Sequence, residues 1–314
     1  MSAPGLSKRE DRPVSAPPLD RWALSRALTR MANADAAEVA RFALRDATAH
    51  AARRIGITGA PGAGKSTLVG HLALERAPTG RLGVLAVDPS SPKSGGAILG
   101  DRVRMDDLAG IGDLYIRSLG SRRTCDGLAD NLPEMLDIMD EFGFDEVLLE
   151  TVGIGQAEYA ARAQVDTLVL VLLPESGDVV QAMKAGIMEM ADIYVVNKSD
   201  LPGAKKMATD IQRIAAVSPR PEGAWRAPVL LASSTQPDSI RALSQAIDRH
   251  QAWRATDPER RQRLRAQRLR YRLRRMLEMR IAHAIAHADE ALFDAPLRQQ
   301  MDRILATAGN TLDF

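Results

Sequence analysis

The feature that most limits how this chain can fold is the octapeptide GAPGAGKS at residues 59–66. Its spacing is G-x-x-x-x-G-K-S, it follows a short apolar segment at 54–58, and apolar residues recur at helical spacing over 67–74. A strand, a glycine loop and a helix in this order form the phosphate-binding loop of nucleoside triphosphatases. Lys65 is expected to reach the β- and γ-phosphates, and the Ser66 hydroxyl is expected to bind Mg²⁺. The candidate phosphate contacts are Gly59, Pro61, Gly62, Ala63, Gly64, Lys65, Ser66 and Thr67.

The composition is that of an ordinary globular chain of 314 residues, with 45% hydrophobic and 26% charged residues and a formal net charge of +2. This charge is too small to indicate a polyanion as partner of the whole molecule. The single cysteine, Cys125, excludes an intrachain disulfide, and no apolar run is long enough to span a membrane. We therefore predict a cytoplasmic protein, and we expect the polar, proline-rich residues 1–19 to form a disordered tail and not a secretory signal.

Apolar runs alternate with helical patterns along residues 53–253, which predicts an α/β fold with a mostly parallel sheet flanked by helices. The predicted strands are 55–58, 82–87, 114–117, 146–151, 167–173, 193–197 and 229–232. The predicted helices are 66–75, 128–141, 156–163, 179–190, 204–216 and 239–253. We expect an N-terminal helical extension at 20–52, a nucleotide-binding domain at 53–253 and a C-terminal helical region at 254–314.

In the N-terminal extension, Asp20 is a candidate helix cap, and the residues near one stripe of the first predicted helix are Trp22, Leu24, Leu28 and Met31. A second helix is expected from Asp35.

Acidic residues follow two of the predicted strands, at the edge where ligands collect in parallel α/β folds. Asp88 directly follows the predicted strand at 82–87, and a polar loop then carries Asp101. Glu150 lies near the end of the predicted strand at 146–151. These carboxylates are candidate Mg²⁺ ligands together with Ser66, because Mg²⁺ prefers oxygen ligands and keeps several waters. A turn aspartate and a solvated loop aspartate are the alternative interpretations of Asp88 and Asp101.

The segment after Glu150 is a candidate switch for the γ-phosphate. The amide of Gly153 is the expected sensor, and Gln156 is a candidate for orienting the attacking water. The candidate catalytic set is Lys65, Asp88, Glu150 and Gln156. The candidates for stabilising charge in the transition state are Arg102, Arg104 and Arg117.

The tetrapeptide NKSD at residues 197–200 follows another predicted strand and predicts guanine as the base. The Asp200 carboxylate can accept hydrogen bonds from the ring N–H and the exocyclic amine of guanine, whereas adenine offers an acceptor at that ring position and leaves the carboxylate unpaired. Asn197 is expected to steady the loop, and the Lys198 stem to cover the base. After the last predicted strand, Ser233 and Ser234 are candidates for a backbone amide that contacts the guanine carbonyl.

The C-terminal region has a long amphipathic pattern that is crowded with arginine from residue 260 to residue 275. Its apolar stripe consists of Leu264, Leu269, Leu273, Met276, Leu277 and Ile281. A packing helix with a solvated basic face is the favoured interpretation, nucleic-acid or membrane-surface binding is the alternative, and a dimerisation arm is plausible for a long apolar stripe beyond a complete domain. A final helix is predicted at 296–306.

Five segments together closely resemble the MeaB/ArgK family of P-loop GTPases: GAPGAGKS, AVDPSSPKSGGAILGDRVRM, ETVGIGQAE, PESGDVVQAMKAGIMEMADI and NKSD. The resemblance implies GTP and GDP as ligands with Mg²⁺, a homodimer joined by a C-terminal arm, and a partner switch at 174–184. It also implies a metallochaperone for an adenosylcobalamin-dependent acyl-CoA mutase of the methylmalonyl-CoA mutase type, in which GTP hydrolysis gates cofactor loading and protects or reactivates the enzyme. The low aromatic content of 4% and the lack of a histidine-bearing cobalamin motif indicate that this chain does not hold the cofactor itself.

The sequence departs from the family pattern in two places, the implied partner switch and the loop after the last predicted strand. Residues 175–178 read ESGD where the family more usually has two glycines, and residues 233–238 read SSTQPD where it usually has S-A and a glycine-rich turn. One alternative function is a GTPase for metal insertion into another metalloenzyme, for which His283 and His287 are the only i, i+4 histidine pair. A nucleic-acid-binding protein that uses the arginine-rich helix is a third hypothesis.

Overall fold

A computed structural model of the chain describes residues 17–45, 50–89, 113–121, 131–151, 156–174, 186–217 and 223–310. The described strands are β1 (Arg53–Gly59), β2 (Leu82–Pro89), β3 (Leu114–Ser121), β4 (Glu146–Glu150), β5 (Thr167–Leu172), β6 (Ile193–Val196) and β7 (Val229–Leu231). They form one sheet in the order β3-β2-β4-β1-β5-β6-β7, and every pairing among them is parallel. The predicted parallel α/β fold is confirmed, and β1 lies at the centre of the sheet.

Helices cover both faces of this sheet. They are α1 (Arg21–Ala32), α2 (Ala36–Ala43), α3 (Lys65–Arg76), α4 (Leu132–Glu141), α5 (Gln156–Gln164), α6 (Ala204–Val217), α7 (Pro237–Ala255), α8 (Pro258–Ala286) and α9 (Leu297–Asn310). Most of the predicted helix at 179–190 lies outside the described residues, and its described end holds a short 3-10 helix, Ile187–Glu189.

Two bounds differ from the sequence prediction for identifiable reasons. Helix α4 begins at Leu132, not at 128, because Asn131 adopts a left-handed backbone with φ of 58° and cannot continue a helix. Its side-chain amide donates to the Met31 carbonyl at 2.8 Å, which fastens this turn to α1. Strand β3 continues past 117 to Ser121, because its backbone pairs with β2 along that whole length.

The apolar residues of each strand alternate between the two faces, as a buried parallel sheet requires. Leu148 of β4 packs with α3 and α7, whereas its neighbours Val147 and Leu149 pack with α1 and α4. A smaller cluster joins β5 and β6 to α6. The carboxyl ends of β1, β2, β4 and β6 are thereby held at one edge of the sheet, where the predicted site residues follow them.

The N-terminal helices share a core with the sheet. Asp20 caps α1 by accepting from the amides of Trp22 and Ala23 at 3.1 and 2.9 Å, and Leu24 and Leu28 are fully buried. The predicted stripe was wrong for Trp22, which is 70% exposed, because this side chain lies outside the contact between α1 and α4.

The C-terminal arm, defined here as residues 258–310, leaves much of its apolar surface in solvent. Leu264 and Ala284 of α8 are buried, but Leu269, Leu273 and Leu277 are 50%, 58% and 58% exposed. In α9 a second exposed set follows, namely Leu297, Met301 and Leu305. Among the described helices, none is long and apolar enough to cross a membrane.

Candidate nucleotide site

The phosphate loop, residues 59–66, turns sharply between β1 and α3, and two of its glycines are required by their surroundings. Gly59 has φ of 148°, and a Cβ atom there would lie 2.0 Å from the Val171 carbonyl oxygen of β5. Gly64 has φ of 81°, and a Cβ atom there would lie 2.6 Å from the Asn197 side chain. Any larger residue at these positions would displace the loop from its neighbours.

The charged side of the site brings together residues that the sequence predicted separately. The Lys65 ammonium donates to the Ala60 carbonyl at 3.1 Å, across the loop that is expected to hold the phosphates. The Ser66 hydroxyl donates to Glu150 Oε1 at 2.7 Å, and Glu150 is only 6% exposed. A hydroxyl and a carboxylate that meet at the first turn of α3 are oxygen ligands of the kind that Mg²⁺ prefers, so these two residues fit the metal.

Four predicted site residues lie wholly or partly outside the described part of the chain. Asp88 lies in β2, which is paired directly with β4, but its side chain lies outside the described part of the chain, as does that of Gln156 at the start of α5. Asp101 and Gly153 lie wholly outside it, and so does most of the predicted switch at 174–184. Within the described ranges there is no group of three or more metal-ligating side chains.

The NKSD segment closes over the phosphate loop from the side of β6. Asn197 donates through its amide to the Ala63 carbonyl at 2.8 Å, and the Lys198 ammonium donates to the Gly62 carbonyl at 3.3 Å. The segment predicted to read guanine is therefore bonded to the loop predicted to bind phosphate, as one nucleotide spanning both would require.

Asp200 is held in place by a residue whose side chain the sequence did not single out. The Ser233 hydroxyl donates to Asp200 Oδ1 at 2.7 Å and lies 2.9 Å from the Thr235 hydroxyl. This bond from Ser233 lowers the pKa of Asp200 below its ordinary value, so the group stays ionised as an acceptor. Ser233 and Ser234 were predicted only as sources of a backbone amide, and no motif indicated the bond between the two side chains.

A second missed pair lies beneath the loop. Thr151 Oγ1 donates to Thr58 Oγ1 at 2.9 Å, and both residues are fully buried. The only sequence signal was position, since Thr58 directly precedes the phosphate loop and Thr151 directly follows Glu150.

Of the three arginine candidates for charge stabilisation, Arg117 lies in the described part of the chain, and it does not lie at the site. Arg117 of β3 donates to the Ser25 carbonyl and to the Thr29 hydroxyl of α1, both at 3.0 Å, so it fastens α1 to the sheet. Arg102 and Arg104 lie outside the described residues. The sequence-based proposal for Arg117 is therefore replaced by a structural role.

The histidine pair considered for metal insertion lies on the arm, at the end of α8. His283 and His287 are both exposed, with ring centroids 4.1 Å apart, and His287 Nδ1 donates to the His283 carbonyl at 2.9 Å. The pair lacks a third metal-ligating side chain among the described residues. It gives the metal-insertion hypothesis no support.

Comparison with known proteins decides the family. The model of the family described as methylmalonyl-CoA mutase-associated GTPase MeaB matches residues 24–290, which is most of the chain. The chain belongs to the MeaB family. The resemblance carried by the five sequence segments is thereby confirmed, and the matched range includes most of α1, the whole sheet and the helices up to the end of α8.

Curated relatives of this MeaB-family chain come from bacteria, archaea and mammals. A probable GTPase of Mycobacterium tuberculosis is 42% identical over 204 residues, which are 63% of this chain and 60% of the relative. The mouse protein named methylmalonic aciduria type A homolog, mitochondrial, is 40% identical over 60% of this chain and 46% of its own length. A putative GTPase of Caulobacter vibrioides is 38% identical over 74% of this chain and 73% of the relative. The match thus spans about three fifths of the first of these relatives.

Among solved structures, a protein described as an LAO/AO transport system kinase superposes with a TM-score of 0.61 over 93% of this chain and 94% of its own. At 23% sequence identity this likeness shows a shared fold. The P-loop architecture of the MeaB-family chain therefore rests on sequence and structure together.

Proposed function

We propose that this chain is a Mg²⁺-dependent GTPase. The observation that carries the proposal is that the NKSD segment, which contains Asp200, is hydrogen-bonded to the phosphate loop through Asn197 and Lys198. Membership in a family described as GTPases, and relatives named as GTPases, support the same activity. One chain thus combines a loop for phosphates with a carboxylate suited to guanine.

The proposed hydrolysis is an in-line attack of water on the γ-phosphate, promoted by positioning and by neutralisation of charge. Lys65 neutralises charge on the β- and γ-phosphates, and the backbone amides of the phosphate loop orient them. Ser66 and Glu150 would hold Mg²⁺, which when bound supplies positive charge to the phosphate oxygens. The Ser66 oxygen would offer a lone pair to the metal, and its O–H can still donate to Glu150. We keep Asp88, Asp101, Gly153 and Gln156 as proposed members of the site.

The base assignment is tested by exchanging Asp200 for alanine and measuring the competition of GDP and ADP for the site. The native chain is expected to prefer GDP strongly, and Asp200→Ala is expected to lose the preference because the two guanine hydrogen bonds disappear. Asp210→Ala, at a half-exposed aspartate on α6, is the matched control and is expected to keep it. A native chain without preference would contradict the assignment.

The proposed biological role is that of a metallochaperone in the cytoplasm that gates cofactor loading and protects or reactivates an adenosylcobalamin-dependent acyl-CoA mutase. The description of the family names methylmalonyl-CoA mutase, and one mouse relative is named for methylmalonic aciduria. GTP turnover should be measured with and without each candidate mutase, with Glu150→Ala as the blank. Stimulation by one mutase would support the role and identify the client. Guanine-specific turnover that no mutase alters would contradict the chaperone role while leaving the GTPase intact.

A homodimer joined through the arm is part of the same proposal. The three leucines of α8 at 269, 273 and 277 are spaced by one helical turn and lie at least half exposed. Exposed apolar stripes of this kind are stabilised when another surface covers them. A second copy of the arm has the complementary apolar stripe by symmetry.

A further inference from the structure

Two buried hydroxyls connect the strand that enters the phosphate loop with the strand that carries Glu150. Thr58 is the residue before Gly59, Thr151 is the residue after Glu150, and neither has any exposed surface. Thr151 Oγ1 donates to Thr58 Oγ1 at 2.9 Å, and the Thr151 amide donates to the Ile57 carbonyl at 3.1 Å. The chain therefore stays bonded to β1 for one residue beyond the end of β4.

Glu150 and Thr151 consequently hold both ends of the phosphate loop. Thr151 is bonded to the residue before the loop, through Thr58, and Glu150 is bonded to its last residue, through the Ser66 hydroxyl at 2.7 Å. The two contacts differ in their expected part in nucleotide binding. Ser66 and Glu150 are candidate Mg²⁺ ligands, whereas the threonine pair contains no proposed ligand.

We propose that the Thr58–Thr151 hydroxyl pair is the fixed point that positions Glu150 against the phosphate loop during GTP hydrolysis. The proposal rests on the proposed GTPase function. Both threonines are positioning residues, since neither contacts the proposed nucleotide position. This pair joins the start of the loop to the end of β4 without involving a proposed metal ligand. Small misplacements of catalytic groups are costly, so the pair affects turnover more than binding.

The variants that test the proposal are Thr58→Val, Thr151→Val and the double variant. Valine has nearly the shape of threonine and lacks the hydroxyl. Each single variant leaves the other buried hydroxyl without this partner and is expected to lower the stability, whereas the double variant removes both polar groups and is expected to recover much of it. Stability is measured by urea unfolding, and GTP turnover is measured at saturating GTP and Mg²⁺ together with the Kd for GDP.

For the double variant we expect kcat to fall about tenfold while the Kd for GDP stays within about twofold of the native value. Thr167→Val is the matched control. Thr167 is also fully buried, and its hydroxyl bonds to His250 at 2.9 Å at the start of β5, the end of the strand away from the phosphate loop. It is expected to lose stability and to keep kcat.

A purely structural pair would give a different result: turnover would fall with stability in the single variants and return in the double variant, and this would overturn the proposal. Should the double variant not fold, Thr58→Ser with Thr151→Ser keeps both hydroxyls and removes the methyl groups. Native turnover in that variant supports the proposal, and a tenfold loss overturns it. A native chain without GTP turnover would overturn the proposed function itself. Native GTP turnover that returns in the double variant would overturn only the role of the threonine pair, so the two failures are distinguishable.

Discussion

At the scale of single residues, the part of the site proposed to bind the guanine base depends on one hydroxyl group, that of Ser233. Asp200 is largely exposed at the end of the NKSD segment, and its orientation is set by Ser233, which is 1% exposed and comes from the loop after β7. The Ser239 hydroxyl in turn accepts from the Ser233 amide at 3.1 Å. The acceptor geometry at Asp200 is thus fixed from a buried and well-bonded position.

Ser233→Ala is expected to weaken GDP binding by roughly threefold to tenfold, because an exposed carboxylate loses a hydrogen bond that fixes its orientation. Displacement of a fluorescent GDP analogue measures the change. Ser234→Ala is the control and should bind GDP like the native chain, since only a backbone amide was predicted to act at that position. Equal affinities of the Ser233 variant and the native chain would show that Asp200 needs no such support.

At the scale of elements, the arginine-rich face of α8 is partly a contact surface with the body of the protein. Arg268 donates to Asp166 at 3.0 Å, and Arg272 donates to Glu134 of α4 at 2.8 Å and lies 2.8 Å from Asp137. The predicted packing helix with a solvated basic face is therefore not solvated at these two arginines, which pack against acidic residues instead. The acidic partners lie on the body, far away in sequence.

Asp166 accepts several hydrogen bonds in the first of these contacts between α8 and the body of the protein. Its carboxylate accepts from the Arg54 amide at 2.8 Å, from Arg254 at 2.9 Å and from Arg268. Asp166→Asn is expected to lower the free energy of unfolding by roughly 2–4 kcal/mol, because it leaves partly buried guanidinium groups without a charged partner. Urea unfolding measures the loss.

Glu259→Gln, which removes an exposed ion pair between Glu259 and Arg263 on the same helix, is the control for this experiment. A surface pair contributes little, so we expect a change below about 0.5 kcal/mol. Similar losses in both variants would mean that the contact at Asp166 does not anchor α8.

The same contact predicts a dependence on pH. Burial alone would raise the pKa of Asp166, but Arg268 and Arg254 outweigh it and hold the pKa below its ordinary value. A carboxyl group with a lowered pKa in the folded state stabilises the fold above its unfolded pKa of about 4, and the contribution disappears as the pH falls through the folded value. The difference in stability between the native chain and Asp166→Asn should therefore be full at pH 6 and should shrink at pH 3. A difference that is the same at both pH values would contradict the ionised contact.

At the scale of the whole molecule, the arm combines an anchored part with an uncovered part. Arg268 and Arg272 fasten one side of α8 to the body, while Leu269, Leu273 and Leu277 remain in solvent. Anchored along one side of α8, the arm is able to present its apolar stripe to a partner in a fixed direction.

Leu273→Glu is expected to convert the proposed dimer to monomers at micromolar concentration, because a charge would be buried in the apolar contact between the two arms. Sedimentation velocity measures the state of assembly. Gln262→Glu, an exposed substitution in the first turns of α8, is the control and should leave the dimer intact. A native chain that sediments as a monomer would contradict the arm contact itself.

The sequence by itself determined the parallel α/β fold and the location of the phosphate loop and the NKSD segment. These features are local: glycines at fixed spacing permit a tight backbone path, and short continuous apolar runs that alternate with helical patterns favour buried strands. Even the local prediction failed where a single backbone angle intervened, as at Asn131, since the sequence pattern does not reveal that the chain turns there to reach α1.

The tertiary structure alone decided which side chains meet. Ser233 lies 33 residues from Asp200, Thr58 lies 93 residues from Thr151, and Arg268 lies 102 residues from Asp166. Hydrogen bonds act only over about 3 Å, and periodicity along a chain contains no information about such distant partners. The site residues could therefore be predicted by motif, whereas the residues that hold them in position became visible only when the strands were brought side by side.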